Sequence, residues 1–243
     1  MFSFFKKKDT SERIHIHTDF HSHLLPGLDD GVESFEESLT IISQLKEMGY
    51  NKLITTPHIM HDFYNNSPEN IQAKADELKK LLATHQMDIA LEAAAEYYLD
   101  EKLLELVKDN NKQLLTFGDN FLLFETSFMN RPFYLHEFIF EAKSRGLKPI
   151  LAHPERYAYL QSDFEQIEDL IMRGVYMQLN INSISGYYSK PVKKMAEQMI
   201  DKKVVHFIGS DCHNEKHLEV MKMSRKEKYF LKALKLPLLN NQL

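Results

Sequence analysis

Short apolar runs alternate along the chain with longer segments whose apolar residues recur at helical spacing. The runs at residues 14–20, 52–55, 88–96, 121–125, 148–152, 175–180 and 204–209 read as strands. Helices fill the gaps, and several carry recognisable ends. Ser34 with Glu37 forms a capping box ahead of Leu39, Ile41, Ile42 and Leu45, and Gly49 follows the final turn. Ser67 and Pro68 supply an N-cap and an N1 proline to a helix running toward His85, while Gly146 and Gly174 close two later helices. No internal repeat, low-complexity linker or composition break interrupts the alternation. Strand, loop and helix in repetition predict a single α/β domain over residues 14–243, preceded by an extension of residues 1–13. A closed or nearly closed parallel barrel is the expected architecture, with a doubly wound open sheet as the alternative.

Composition narrows the classes of function. A chain of 243 residues with 43% hydrophobic content can bury one sizeable core. A formal charge of −5 argues against a primary role on nucleic acid. The single cysteine, Cys212, rules out an intramolecular disulfide framework and agrees with a reducing, cytoplasmic setting. No run approaches the roughly 18 apolar residues needed to span a bilayer, and residues 1–8 carry their lysines after their phenylalanines, the reverse of a secretory signal. That segment reads as a disordered terminus or as a contact with an anionic membrane surface. The basic stretch Lys222, Arg225, Lys226, Lys228, Lys232 and Lys235 reads as a solvated helix face or a docking surface.

The chemistry lies at the C-terminal ends of the expected strands. His21 and His23 follow the first, His58 the second, Glu96 the third, Glu125 the fourth and His153 the fifth. Asn180 and Asn182 follow the sixth, and Asp211, Cys212 and His213 the seventh. In an α/β barrel such residues converge on one face. Any one of them alone has a plain structural explanation; the joint pattern does not. Imidazoles and carboxylates together suit divalent manganese, iron or zinc, and several carboxylates allow one to bridge two ions.

Within this set, alternation places Asp19, His21 and His23 on one side of an extended chain, with Phe20 on the other. His15 and His17 continue it inward as structural residues. Pro57 holds the chain extended ahead of His58, with His61 a weaker candidate. His153-Pro154-Glu155-Arg156 joins a ligand-type residue to a guanidinium suited to phosphate oxygens. Asp30, in the turn Leu28-Asp29-Asp30-Gly31, is a proton donor, a further ligand, or part of an Asx turn. Arg131 touches substrate or lies on the surface. Cys212 reads as a packed residue, because Leu218 occupies the position where a cysteine phosphatase loop needs arginine.

The pattern Asp19-x-His21-x-His23, His58, His153 and Asp211-x-His213 resembles the polymerase and histidinol phosphatase (PHP) superfamily. The strings DFHSHLLPGLDDG, TTPH, LAHPERY and GSDCHN resemble more narrowly the manganese-dependent protein tyrosine phosphatases of bacterial capsule and exopolysaccharide operons, over residues 18–214. This resemblance implies a distorted seven-stranded barrel with a cluster of three metal ions. His21, His23, His58, Glu96, Glu125, His153, Asp211 and His213 would be ligands, Arg156 would grip phosphate, and Asp30 would lie near the leaving group. The extension before the first motif and the cysteine between Asp211 and His213 depart from the pattern without removing a ligand. Residues 178–183 match the sixth strand of the family only loosely.

The expected chemistry is in-line attack of a metal-activated water on phosphorus, with Asp30 or His213 protonating the leaving oxygen. The partner that the resemblance implies is the tyrosine-rich tail of a membrane-linked tyrosine autokinase. Its rivals are a small-molecule phosphoesterase acting on a metabolite such as histidinol phosphate, and a metal-bound scaffold without turnover.

Overall fold

The computed structural model describes residues 16–243; the expectations for residues 1–13 and for His15 lie outside the described residues. Among the described residues there are nine parallel strands: β1 (Thr18–Asp19), β2 (Lys52–Thr55), β3 (His58–Ile59), β4 (Ala90–Ala93), β5 (Glu96–Tyr98), β6 (Phe121–Glu125), β7 (Lys148–Ala152), β8 (Tyr176–Asn180) and β9 (Phe207–Gly209). The helices are α1 (Phe35–Glu47), α2 (Pro68–Thr84), α3 (Glu101–Lys108), α4 (Leu135–Ser144), α5 (Ala158–Ser162), α6 (Glu165–Met172), α7 (Lys190–Asp201), α8 (Glu215–Ser224) and α9 (Lys228–Ala233). No helix among the described residues is long and apolar enough to cross a membrane.

The strands form two parallel sheets, ordered β1-β2-β4 and β3-β5-β6-β7-β8-β9. The count exceeds the seven expected because β3 follows the intact run 52–55 beyond Pro57, which lacks an N–H, and because the run 88–96 is broken into β4 and β5 around Ala94 and Ala95. Hydrogen bonds from Ala94 N to Thr55 O, 2.9 Å, and from Glu96 N to Pro57 O, 3.1 Å, carry the pairing across both breaks. Beyond their ends, β1 and β9 also meet. Ser22 and Cys212 form a parallel bridge, Asp211 N donates to His21 O at 2.8 Å, and His23 N donates to Cys212 O at 2.9 Å.

Local signals set the helix ends as expected, with one change of partner. Ser34 caps α1 by accepting from Glu37 N, but the Glu37 carboxylate accepts from Glu33 N rather than from the cap itself. Ser67 and Asn70 form a reciprocal capping box at α2. Gly49, Gly146 and Gly174 take the positive φ that a helix end requires. In the basic stretch, Lys222 of α8 pairs with Gln44 and Glu219, Arg225 donates to the Met48 carbonyl, and Lys232 of α9 pairs with Asp201.

Two apolar clusters hold the fold. The larger packs the helices on the outer face of the strands. The smaller consists of Phe20, Ile54, Ala94, Phe117, Phe121, Leu123, Ile150, Ala152 and Phe207, all buried on the other face. Since successive strand residues alternate sides, Glu125 follows Leu123 and Glu96 follows Ala94 on that same face. The apolar cluster thus continues directly into polar side chains toward the C-terminal strand ends.

Candidate metal centre

Those strand ends bring eight side chains together. His21 Nε2 lies 3.1 Å from Glu96 Oε2 and 3.4 Å from Asp211 Oδ1, and His23 Nε2 lies 3.3 and 3.4 Å from the same two oxygens. His58 Nδ1 is 3.3 Å from both Glu96 Oε2 and Glu125 Oε1. His153 Nε2 is 3.0 Å from Glu96 Oε1 and 4.0 Å from Glu125 Oε2. His213 Nδ1 is 3.5 Å from Asp211 Oδ1. Asp30 reaches over this group from its turn, with Oδ1 3.6 Å from Nε2 of both His58 and His213.

Most imidazoles are fixed through one nitrogen and present the other to the carboxylates. His21 Nδ1 donates to Gln178 Oε1 at 3.0 Å, His23 Nδ1 to Asp29 Oδ2 at 2.7 Å, and His213 Nδ1 to the Asp211 carbonyl at 2.9 Å. Such partners set ring orientation and basicity at metal sites. Asp29 also accepts from His58 N at 2.9 Å and from Gly31 N at 2.9 Å. The Asx turn is therefore made by Asp29, which leaves Asp30 free to face the histidines. Gly31 is required for space: a Cβ there would meet the His23 carbonyl oxygen at 2.3 Å.

Backbone strain gathers at the same place. His153 (φ +34°) and Asp211 (φ +49°) adopt left-handed conformations that cost residues with a Cβ on the order of 1–3 kcal/mol. The left-handed turn at His153 interrupts the alternation after β7 and directs the imidazole toward Glu96.

Burial would raise the Glu96 carboxyl, but the His21 and His58 rings outweigh it and hold its pKa well below the usual range. Burial would likewise lower His21, yet the Glu96 and Asp211 carboxylates push it up to about 9. The His213 ring beside Asp30 holds that carboxyl far below its ordinary value. His153 is shifted down by burial and by Arg156. Cys212 is buried and its thiol is pushed up strongly by that burial, so it is not poised as a nucleophile.

The donor set fits divalent cations. His23 Nε2 and His58 Nδ1 are buried without a hydrogen-bond partner, although carboxylate oxygens lie 3.3 Å away; a cation between such atoms satisfies both. Three overlapping groups of donor atoms could each hold an ion: His23, Asp30, His58 and His213; His21, His23, Glu96 and Asp211; His58, Glu96 and Glu125. His153 lies outside these three groups but within hydrogen-bond distance of Glu96.

In front of the donors is a cavity of about 380 Å³ lined by Asp30, His58, Glu96, Glu125, His153, Asp211 and His213, with Arg156, Phe128, Tyr187, Tyr188 and His217. Arg156 Nη1 donates to Asp211 Oδ2 at 3.0 Å, and its guanidinium lies between the rings of Phe128 and Tyr188, at 4.7 and 4.4 Å. Arg131 is not brought into this cavity; its guanidinium meets His136 on the surface. His61 lines a separate groove beside α3.

Sequence reasoning missed the supporting residues Asp29 and Gln178, and the role of Asn180. Gln178 contacts His21 and also accepts from His153 N at 3.0 Å. Asn180 donates to Asp211 Oδ2 at 2.7 Å and to the Tyr188 hydroxyl at 3.0 Å. The available signal was polar side chains two apart in an otherwise apolar strand, Gln178 and Asn180, since a buried amide on a sheet face needs a partner. Asn182 points elsewhere, donating to the His217 carbonyl.

Parallel strands delivering to one rim histidines and carboxylates able to hold metal ions define the class: an α/β protein with a candidate metal centre. Residues 17–234 match the family described as Capsular polysaccharide synthesis, CpsB/CapC, and the chain belongs to it. Tyrosine-protein phosphatase CpsB of Streptococcus agalactiae serotype V is 30% identical over 203 residues, 81% of this chain and 82% of that protein. Tyrosine-protein phosphatase YwqE of Bacillus subtilis is 28% identical over 200 residues, 82% of this chain and 78% of that protein. A solved structure from work on YwqE of Bacillus subtilis and CpsB of Streptococcus pneumoniae, described as metal-dependent tyrosine phosphatases, superposes with a TM-score of 0.76 at 24% identity, covering 87% of this chain and 89% of that one.

Proposed function

We propose that the protein is a metal-dependent protein tyrosine phosphatase, acting on a phosphotyrosine protein of capsule or exopolysaccharide synthesis such as the tyrosine-rich tail of a tyrosine autokinase. The observation that carries this reading is the convergence of His21, His23, His58, Glu96, Glu125, His153, Asp211 and His213 beside Arg156. Family membership and the named phosphatase relatives support the reaction class. The broken strands and the bridge between Ser22 and Cys212 support a distorted seven-stranded PHP-type barrel, with β2–β3 and β4–β5 each acting as one bent strand, in a single domain from residue 14.

Those eight residues would hold divalent ions, which we put at three, with manganese first and iron or zinc as alternatives. Bound ions would supply Lewis acidity and an activated water. His23, His58 and Glu96 each belong to two donor groups, and Glu96, with both carboxylate oxygens facing the cluster, would be the residue suited to serve two ions. Arg156, kept in place by Asp211 and two aromatic rings, would neutralise charge developing on the phosphoryl oxygens. Asp30, held ionised between His58 and His213, suits a ligand better than a proton donor. His213 remains the candidate to protonate the departing oxygen, a step that matters little for a phenolate.

Phosphate release from a phosphotyrosine peptide and from histidinol phosphate, with manganese and with chelator, tests the reading. Chelator-sensitive release from the peptide, lost in His21→Ala, is the expected result. Release only from histidinol phosphate transfers the site to small metabolites, and bound metal without turnover leaves a scaffold.

A further inference from the structure

The cavity has a feature that phosphate chemistry does not need. Phe128 stands in its wall with 40% of its surface exposed, although its surroundings hold it firmly. Ala158 N donates to the Phe128 carbonyl at 2.8 Å. The ring stacks on His153 at 5.9 Å and tilts against Tyr157 at 5.6 Å. Ser127 Oγ accepts from Met129 N and Asn130 N, closing the loop behind it. Tyr188, on the other side of the Arg156 guanidinium, has its hydroxyl engaged by Asn180 and packs edge-on against Tyr187. Of the two rings that flank Arg156, Phe128 is the wholly apolar one. None of the seven other large exposed apolar side chains among the described residues, Phe63, Met129 and Phe133 included, lines the cavity.

We infer that Phe128 selects the alcohol half of the phosphate ester, receiving the aromatic ring of an aryl phosphate whose phosphoryl oxygens meet Arg156 and the donor groups. This inference rests on the phosphatase reading above and adds to it the residue that separates aryl from alkyl esters. The guanidinium lies 4.7 Å from the Phe128 ring centre, so a phosphoryl group on Arg156 carries its ester oxygen close to the exposed ring. An aryl group then removes apolar surface from water against the exposed part of the Phe128 ring. The methylene of a serine or glycerol ester covers little of it.

Turnover rates alone cannot test this, because a phenolate leaves more readily than an alkoxide whatever the wall is made of. Binding of two inert ligands to the manganese-loaded full-length protein removes that difference: phenylphosphonate and methylphosphonate, titrated by calorimetry. The wild type should prefer the phenyl compound about tenfold. Phe128→Ala should shrink that preference to less than about twofold, over and above any loss that both ligands share from a less firmly held Arg156, and Phe128→Trp should keep or widen it. If Phe128→Ala weakens both ligands equally, the ring merely steadies Arg156 and the inference fails. If the preference survives in Phe128→Ala, or is lost in Phe128→Trp, the aryl group lies elsewhere and the inference also fails. Chelator-sensitive hydrolysis of p-nitrophenyl phosphate by the wild type checks the underlying reading separately: its absence overturns the phosphatase assignment, whereas its presence without a Phe128-dependent preference overturns only the selection by this ring.

Discussion

Two layers on one face of the strands make opposite use of the same scaffold. The lower layer, with Ile54, Ala94, Leu123, Ile150 and Phe207, is apolar and buried. One or two steps of the same alternation further on come His58, Glu96, Glu125 and Asp211, where unpartnered nitrogens, opposed charges and left-handed backbone accumulate. The difference shows that the polar layer is affordable because the apolar one fixes the strands beneath it. Buried charge with strained backbone is a poor source of stability and a good source of preorganised chemistry.

The sharpest way to break this contrast is at Glu96. Glu96→Gln keeps the shape but removes the shared carboxylate, and metal-dependent hydrolysis should fall about 10²- to 10³-fold in steady-state assays. Activity within tenfold of wild type would mean that the layer has no such hub. Phe207→Ala attacks the other layer: a cavity opens among Phe20, Phe121 and Tyr176, and urea denaturation should report a loss of about 3–5 kcal/mol. A loss below about 1 kcal/mol would deny the apolar layer its supporting role. Gln178→Ala removes a partner of both His21 and His153 without touching the cluster directly. Metal affinity should weaken about 10- to 100-fold in direct titration, with a smaller stability loss than in Phe207→Ala. The smallest effect is expected at Cys212, which iodoacetamide should leave unmodified in the folded protein with activity retained, as mass spectrometry and a parallel assay would show.

How much of this was written in the sequence follows from what each residue needs. Every expected strand run contains at least one strand of the fold, because a buried parallel strand demands an unbroken apolar segment and leaves a strong pattern. The bends at Pro57 and around Ala94 were not legible, since local pattern does not say how neighbouring strands tilt. The eight ligand-type residues stood out through their chemistry and their position at strand ends. Asp29, Gln178 and Asn180 did not, because an amide or a turn aspartate has many ordinary uses and only tertiary contact reveals which one applies. Asp29 and Asp30 illustrate the limit: two identical neighbours, of which the first makes the turn and the second reaches the cluster. Arg131 and Arg156 follow equally suggestive strands, yet only Arg156 has a buried carboxylate to hold it in the cavity.

The seam between β1 and β9 sets a schedule for the protein's birth. Ser210 donates to Asp19 across 191 positions of chain, and the His21 carbonyl receives the amide of Asp211. During synthesis the first histidines emerge early and must wait, without the carboxylate that completes their site, until residues 207–213 have cleared the ribosome. Pairing over such a span is slow to find, so the nascent chain passes through a long interval in which its first histidines are exposed without the Asp211 carboxylate that faces them in the finished fold.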